Sequence, residues 1–293
     1  MAAPGPSVPL ELRRLASPEE FRAVEAVQVA AWGMTEEHPV PVPIQRAMAD
    51  NGGLALGAFV GSDLVGFCLG FLGREGGLLY HYSHMTAVRP ESQNRHLGLR
   101  LKRFQREEVL GQGLEEIRWT FDPLRSRNAF LNLRRLGAVC DAYHLDYYGP
   151  MGSDVNRGLR TDRLRVRWHL NAPSVIERTQ DRYPTHEADA VRLHRAQPLI
   201  ASVPADGGNR RPAGVSSPGR PEVTIEVPRD LDALRATRPG GVLEWRDATR
   251  KAFGRAFESG YRAVDFTVAP VDGELRAFYF LSAAESPRAP AHG

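Results

Sequence analysis

The chain has 293 residues, roughly twice the ~150-residue prior for one domain, so one large unit or two smaller ones are both open, and either can bury a core. Its 42% hydrophobic and 25% charged content excludes a wholly disordered, collagenous or disulfide-dense chain. A net charge of +3 from 38 basic against 35 acidic residues, spread along the chain, is too small an excess to argue for a nucleic-acid partner.

Lysine occurs only at Lys102 and Lys251, so the basic residues are almost all arginine, a bias that suggests a GC-rich genome more than a function. No run approaches the ~18 consecutive apolar residues of a membrane-spanning helix, so no membrane partner is expected. Met1 to Pro9 has three prolines and no charged-then-apolar pattern, so it does not read as a secretory signal and a cytoplasmic location is expected. Cys68 and Cys140 lack CxxC spacing and read as inert core thiols, with no disulfide framework and no metal site.

In chain order, Leu10 to Leu15 reads as a strand, and Ser17-Pro18-Glu19-Glu20 opens a helix with an N-cap, a first-turn proline and a capping-box glutamate. Phe21, Val24, Val27 and Ala31 keep helical spacing to Trp32, and a short helix is expected around Ile44 to Asp50. Leu54 to Val60 and Leu64 to Leu72, joined by Gly61-Ser62-Asp63, form a hairpin, and Leu78 to Val88 a further strand. A turn over 89–96 leads into a helix carrying Leu97, Leu101 and Phe104, which ends near Gly111 or Gly113. Ile117 to Phe121 (strand), Asn128 to Leu136 (helix) and Ala138 to Tyr148 (strand) complete a mixed α/β order.

Three stretches look unstructured: the first nine residues, Asp206 to Pro221, and the tail from Glu285. The expected organisation is therefore a domain over 10–150, its continuation over 151–205, a flexible loop or linker over 206–221, and a C-terminal α/β part over 222–284. Phe253 to Pro270 can be laid on Arg106 to Pro123, matching Gly260 with Gly113, Thr267 with Thr120 and Pro270 with Pro123. This is either a degenerate second copy of the first part or the generic look of a helix, a glycine and a strand.

The chemistry concentrates between Val88 and Gly98, where a buried strand turns into a helix start whose unpaired N–H groups and dipole favour an anion such as a pyrophosphate. Here Val88-x-Pro90-x-x-Gln93-x-x-x-x-Gly98 resembles the acyl-CoA binding signature of the GNAT acyltransferase superfamily, with His96 in place of a usual glycine. The element order from 10 to about 150 is also the one this superfamily uses. Trp119-Thr120-Phe121-Asp122-Pro123-Leu124 and Ser126-Arg127-Asn128-Ala129 are similar to a little-characterised branch of GNAT acyltransferases, as are Tyr147-Tyr148-Gly149 and Thr161-Asp162-Arg163-Leu164.

The resemblance implies a GNAT-like fold with a C-terminal extension, a sheet parted between the strands that end at Val88 and Asp122, and acetyl-CoA or another acyl-CoA as co-substrate. Pantetheine would pair with the backbone of Met85, Thr86 and Val88. The CoA diphosphate would lie on Gln93, Asn94, Arg95, His96, Leu97 and Gly98. Asn128 would contact the pantetheine or serve as an ordinary N-cap. An acyl group, acetyl or a larger one such as succinyl, would pass to the primary amine of a small metabolite such as an amino acid.

For the base, an imidazole titrating near ~6.5 suits His84, with a hydrogen-bonded core histidine as the alternative. His81 lies on the opposite face of the strand. Asp122 is a second candidate for ammonium binding or proton transfer, or else caps its turn. Leu133 occupies the position where many relatives carry a tyrosine as acid to the leaving thiolate; Tyr147 is a candidate replacement, while Tyr143 and Tyr148 are assigned to the core. Arg125 and Arg127 read as surface or as anion clamps, and Glu36, Glu37 and His38 as an acceptor-site wall or an exposed turn. A homodimer is open, dimers being common in the superfamily. A reading of a different class, an acyl-CoA sensing module with little turnover, rests on His96 and Leu133.

Overall fold

The computed structural model describes residues 9–33, 39–93, 96–149 and 160–283. The expectations placed on Asn94, Arg95, Glu36, Glu37, His38 and the two chain ends fall outside the described residues. The described chain is mixed α/β and divides into two units. The first comprises the chain to Trp119 with residues 169–171, and the second holds Thr120 onward apart from that excursion.

In the first unit, β1 (Leu10–Arg14), α1 (Pro18–Trp32), α2 (Val42–Asp50), β2 (Leu54–Val60), β3 (Asp63–Glu75), β4 (Leu78–Val88), α3 (Leu97–Gly111) and the start of β5 (Glu116–Phe121) follow one another. This is the order expected from the sequence. The expected capping box starts α1: Ser17 Oγ accepts from Glu20 N–H at 3.3 Å, and Glu20 Oε2 accepts from Ser17 N–H at 3.3 Å. Strands β1 to β4 pair antiparallel in sequence, and β5 joins β4 in parallel.

Helix α1 lays Phe21, Val24 and Val27 on one face of this sheet, against Phe59, Phe67, Leu69 and Ala87. On the other face Leu97 and Leu101 of α3 pack on Ala58 and Val65. At 169–171 the chain rejoins this unit, where Leu170 O accepts from Arg106 Nε at 3.1 Å and Nη2 at 2.7 Å.

The second unit opens with α4 (Ser126–Ala129), which widens directly into a π-helical turn over Phe130–Arg135. Then come β6 (Val139–His144), β7 (Arg163–His169), α5 (Pro173–Thr179), α6 (His186–Arg195), β8 (Gln197–Pro198), β9 (Ile200–Ala205), β10 (Asn209–Val215), β11 (Glu222–Val227), α7 (Leu231–Thr237), α8 (Pro239–Glu258), β12 (Tyr261–Val271) and β13 (Glu274–Ala283). Strands β7, β6, β12, β13, β11 and β8 adjoin in that order, and β9 pairs with β10 as a hairpin. Helix α8 buries Trp245, Arg246, Thr249, Ala252 and Phe253. Phe253 stacks on Tyr143 and meets Tyr279 edge-on, with centroids 5.6 and 5.1 Å apart.

Three expectations are corrected here. The stretch 206–221 is not a linker: Gly207 and Gly208 take positive φ and turn the chain back, so that Asn209–Val215 forms a strand on β9. The division between compact units falls instead at Trp119, inside β5. The strand expected to run to Tyr148 stops at His144, and Tyr147 and Tyr148 sit exposed in the turn that follows.

The sequence match of the two halves has a local structural counterpart. Gly113 (φ 77°) and Gly260 (φ 80°) both follow a helix in the left-handed conformation and precede a strand. The strands differ in their neighbours, since β5 runs parallel to β4 whereas β12 is antiparallel to both β13 and β6. The likeness is thus a shared helix–glycine–strand segment.

Arginine forms much of the polar interior of the second unit. Arg246, 1% exposed, donates from Nη1 to Asp122 Oδ1 at 2.7 Å and from Nη2 to Oδ2 at 2.9 Å. Replacing Asp122 by alanine strands a buried guanidinium, and denaturant unfolding should show a loss of about 3–5 kcal/mol. An unchanged unfolding midpoint would mean that the pair does not hold this core.

Candidate functional site

The candidate residues of the first unit lie along β4 and the turn after it. Leu69 of β3 pairs with Met85 and Gly70 with Ser83, so His84 is the extra residue of a β-bulge. A bulge resets the alternation of side chains. His81 and Ser83 point to the α3 face, and beyond the bulge Thr86 shares that face with Ser83, because Cys68 Sγ reaches both Ser83 Oγ (3.7 Å) and Thr86 Oγ1 (3.2 Å). Met85 and Ala87 turn instead to the α1 core.

His84 is exposed on the strand, its ring 5.9 Å from that of Phe71, and this partial desolvation lowers its pKa below the usual imidazole value. It is therefore neutral at pH 7 and able to accept a proton. His81 is wholly buried, on the opposite face as expected. Burial first, and the nearby Lys102 charge second, push its pKa down to about 3. Its Nε2 lies 3.1 Å from Gln105 Nε2; with the amide as donor, the ring proton sits on Nδ1. Gly70 makes room for this ring, since a Cβ there would come 2.2 Å from His81 Nε2.

Behind β4 lies a polar cluster that the sequence reading did not single out. Lys102 of α3, 4% exposed, donates to Ser83 Oγ at 3.1 Å and Gln105 Oε1 at 2.6 Å, and its Nζ stands 3.9 Å from the centre of the Trp119 ring. Burial pulls its pKa down to about 8. The available signal was Lys102's position one residue after Leu101 on the apolar stripe of an amphipathic helix.

The parallel ladder of β4 with β5 comprises two pairs, His81 with Ile117 and Tyr82 with Arg118. From Ser83 to Val88, β4 continues along β3 on one side, without a described partner strand on the other. Backbone groups of successive residues point to opposite edges of a strand, and Arg89 N–H bonds Val65 O of β3 at 2.9 Å. On the unpaired side Thr86 and the Val88 N–H are therefore open to an extended ligand, whereas Met85 turns its backbone to β3, contrary to the pairing expected of it.

After Val88 the chain makes a short 3₁₀ turn at Pro90–Ser92, and Gln93 Nε2 donates back to Val88 O at 3.2 Å. His96, at φ 56° and ψ 19°, starts α3 in the left-handed conformation. This explains why the resembling motif carries glycine here: a non-glycine residue in that conformation costs about 1–2 kcal/mol. Leu97 is buried, and Gly98 lies in the first turn of α3. Among the described residues no side chain caps that turn and no acidic residue lies in it, so its N–H groups and positive dipole end suit an anion.

The remaining candidates belong to the second unit. Asp122 is committed twice: to Arg246, and through Oδ1 to Leu124 N–H at 2.9 Å, the turn-capping role weighed for it. Asn128 is exposed inside α4 and is not its N-cap, the alternative weighed for it, since Arg125 holds that position. Arg125 pairs with Asp232 at 2.6 Å, and Arg127 is exposed. Leu133 is fully buried in the π-helical turn, so this position offers no hydroxyl.

Tyr143 donates to Asp162 at 2.8 Å, and its phenol is pushed up first by burial and then by that carboxylate. His84, Met85, Thr86, Val88, Gln93, His96, Leu97 and Gly98 therefore lie on one strand–turn–helix segment of the first unit, while Asp122 and Asn128 belong to the second. Among the described residues no group of three or more His, Cys, Asp or Glu could hold a metal ion, and no helix is long and apolar enough to cross a membrane.

No family model and no curated protein matches the chain. Three similar solved structures are acetyltransferases. The ribosomal-protein-S18-alanine N-acetyltransferase from Escherichia coli is 14% identical, with a TM-score of 0.46 over 56% of this chain and 95% of that one. The acetyltransferase of GNAT family from Streptococcus pneumoniae is 16% identical, with a TM-score of 0.42 over 54% and 98%. Aminoglycoside 6'-acetyltransferase type Ii is 15% identical, with a TM-score of 0.44 over 55% and 98%.

The Lys102 cluster has a measurable consequence. Its pKa is about 8 when folded, against an ordinary lysine value of 10.5, so the unfolded chain binds more protons between these limits and stability rises with pH across that window. Denaturant titrations from pH 8 to 10.5 should show a gain of about 3 kcal/mol in the native protein and none of this component in Lys102→Met. Parallel curves for the two proteins would place the charge in solvent.

Proposed function

We propose that the chain is a GNAT-type acyltransferase that moves an acyl group from acyl-CoA to a primary amine of a small metabolite. The observation that carries this reading is the sequence of features along one segment. A bulged strand loses its parallel partner after Tyr82 and runs on with open backbone to Val88, then turns through left-handed His96 into an uncapped helix start.

In this reading the open backbone of Thr86 and Val88 holds the pantetheine amides, and the first-turn N–H groups of α3 hold the diphosphate. Gln93, His96, Leu97 and Gly98 shape that turn, and the motif extends to Asn94 and Arg95. A backbone N–H of β4 supports the oxyanion as the amine nitrogen attacks the thioester carbonyl. His84 takes the ammonium proton, directly or through one water.

The C–S bond then breaks and the thiolate leaves with little need of an acid, since a free thiol titrates near ~8.5. This suits the buried leucine at position 133. Asp122 then has a holding role through Arg246, and Asn128, exposed on α4, is a candidate contact for the cofactor arm. Acetyl is the default acyl group and succinyl the larger alternative; an amino acid is the acceptor class, and the site is cytoplasmic.

Calorimetric titration with CoA, acetyl-CoA and succinyl-CoA, followed by thiol-release assays against amino acids and polyamines, tests the reading. Saturable binding with amine-dependent thiol release supports it. Binding without turnover favours a sensing module, the reading to which Leu133 lends weight, and no binding removes both. His84→Gln should lower kcat/KM about 10²–10⁴-fold while leaving the acyl-CoA dissociation constant unchanged. The acid limb of the native kcat/KM profile should lie below the usual imidazole value of ~6.5. A variant of native activity would transfer the base role elsewhere.

A further inference from the structure

The second unit contains a cavity of about 560 Å³ that the acyl-transfer reading does not use. Its floor is held by Glu226, 4% exposed, whose carboxylate accepts from Arg276 Nε at 2.9 Å, Arg276 Nη2 at 2.6 Å and Ser202 Oγ at 2.6 Å. Arg210 stands 3.7 Å from the same carboxylate, and Trp245 Nε1 donates to Arg210 O at 3.0 Å. Buried Glu226 and the half-buried arginines satisfy one another, so this side of the cavity is preorganised.

The exposed lining is different. Arg229 makes no hydrogen bond or ion pair with any described residue. Its neighbour Asp230 spends Oδ1 on the N–H groups of Asp232 and Ala233, at 3.1 and 3.0 Å, while Oδ2 has no donor among the described residues. One cation and one carboxylate oxygen, adjacent in sequence, therefore line the cavity with their capacity unspent. Counted together, Arg210, Arg229 and Arg276 balance Glu226, Asp230 and Glu274, so the cavity offers a polyanion no net attraction but can match a ligand bearing both signs.

We propose that this cavity binds a free zwitterionic ligand of the amino-acid class, its carboxylate on Arg229 and its ammonium on Asp230 Oδ2. Apolar Leu275, 56% exposed on the lining, receives the side chain, and the volume falls within the range of small-molecule sites. All of these residues lie in the second unit, so the assignment stands or falls independently of the acyl-transfer reading.

Calorimetric titration of the full chain with L-leucine, L-phenylalanine, L-glutamate and L-arginine tests it. At least one should bind with one-to-one stoichiometry, and its N-acetyl and carboxamide forms should each bind at least about tenfold more weakly. Arg229→Ala and Asp230→Asn should each weaken binding by about tenfold or more with unchanged melting temperatures, asparagine keeping the cap on α7. The proposal is overturned by lack of binding of all four at millimolar concentration, by equal affinity for either blocked form, by unaffected binding in both variants, or by tighter binding of ATP.

Discussion

The first unit turns on where the pairing of β4 stops. Parallel pairing with β5 ends after Tyr82, while pairing with β3 continues to Val88, so one strand passes from sheet interior to open edge within a few residues. His84 is inserted at that passage. Its bulge lets His81 and Ser83 face Lys102 and Gln105 while Met85 and Ala87 reach the α1 core, and it leaves the His84 ring exposed. An unbulged strand would send Met85 into the polar cluster and Thr86 into the apolar core, so both faces depend on one residue.

The second unit solves a different problem, how to fill a sheet–helix interior with many arginines. Arg134 lies between Asp189 and Asp265, Arg246 on Asp122, Arg250 on Asp162, and Arg276 on Glu226. The planar guanidinium suits this, because it meets a carboxylate through two parallel bonds and loses little freedom per bond formed. Such pairs add less to stability than their number suggests, because desolvating both charges offsets much of their attraction. The arginine bias, legible as composition, thus acquires a structural use that composition could not show.

How much of this was legible depends on range. The capping box at Ser17, the strand Leu78–Val88 and the helix start at Leu97 were readable because each is fixed by neighbours within a few positions. The same local rules misread 206–221: its glycines, prolines and arginines look like a linker, yet Gly207 and Gly208 supply the turn that returns Asn209–Val215 to β9. In the candidate site, Gln93 to Gly98 could be read as a motif, and the left-handed backbone at His96 explains the glycine that the motif usually carries there. The Lys102 cluster was hidden because Lys102 and Gln105 share the buried side of α3 with Leu101 and Val109, where a hydrophobic pattern marks only the apolar members.

The sequence by itself determined the order of elements in the first unit and the strand–turn–helix that carries the candidate anion site, since capping, periodicity and turn chemistry act between residues close in the chain. Only the tertiary structure decided that β4 carries a bulge at His84, that Asp122 is held by a guanidinium 124 positions away, and that Lys102 is buried. Each of these depends on strand register or on a partner remote in sequence. A register shift by one residue inverts every side chain on a strand, and no local rule records it.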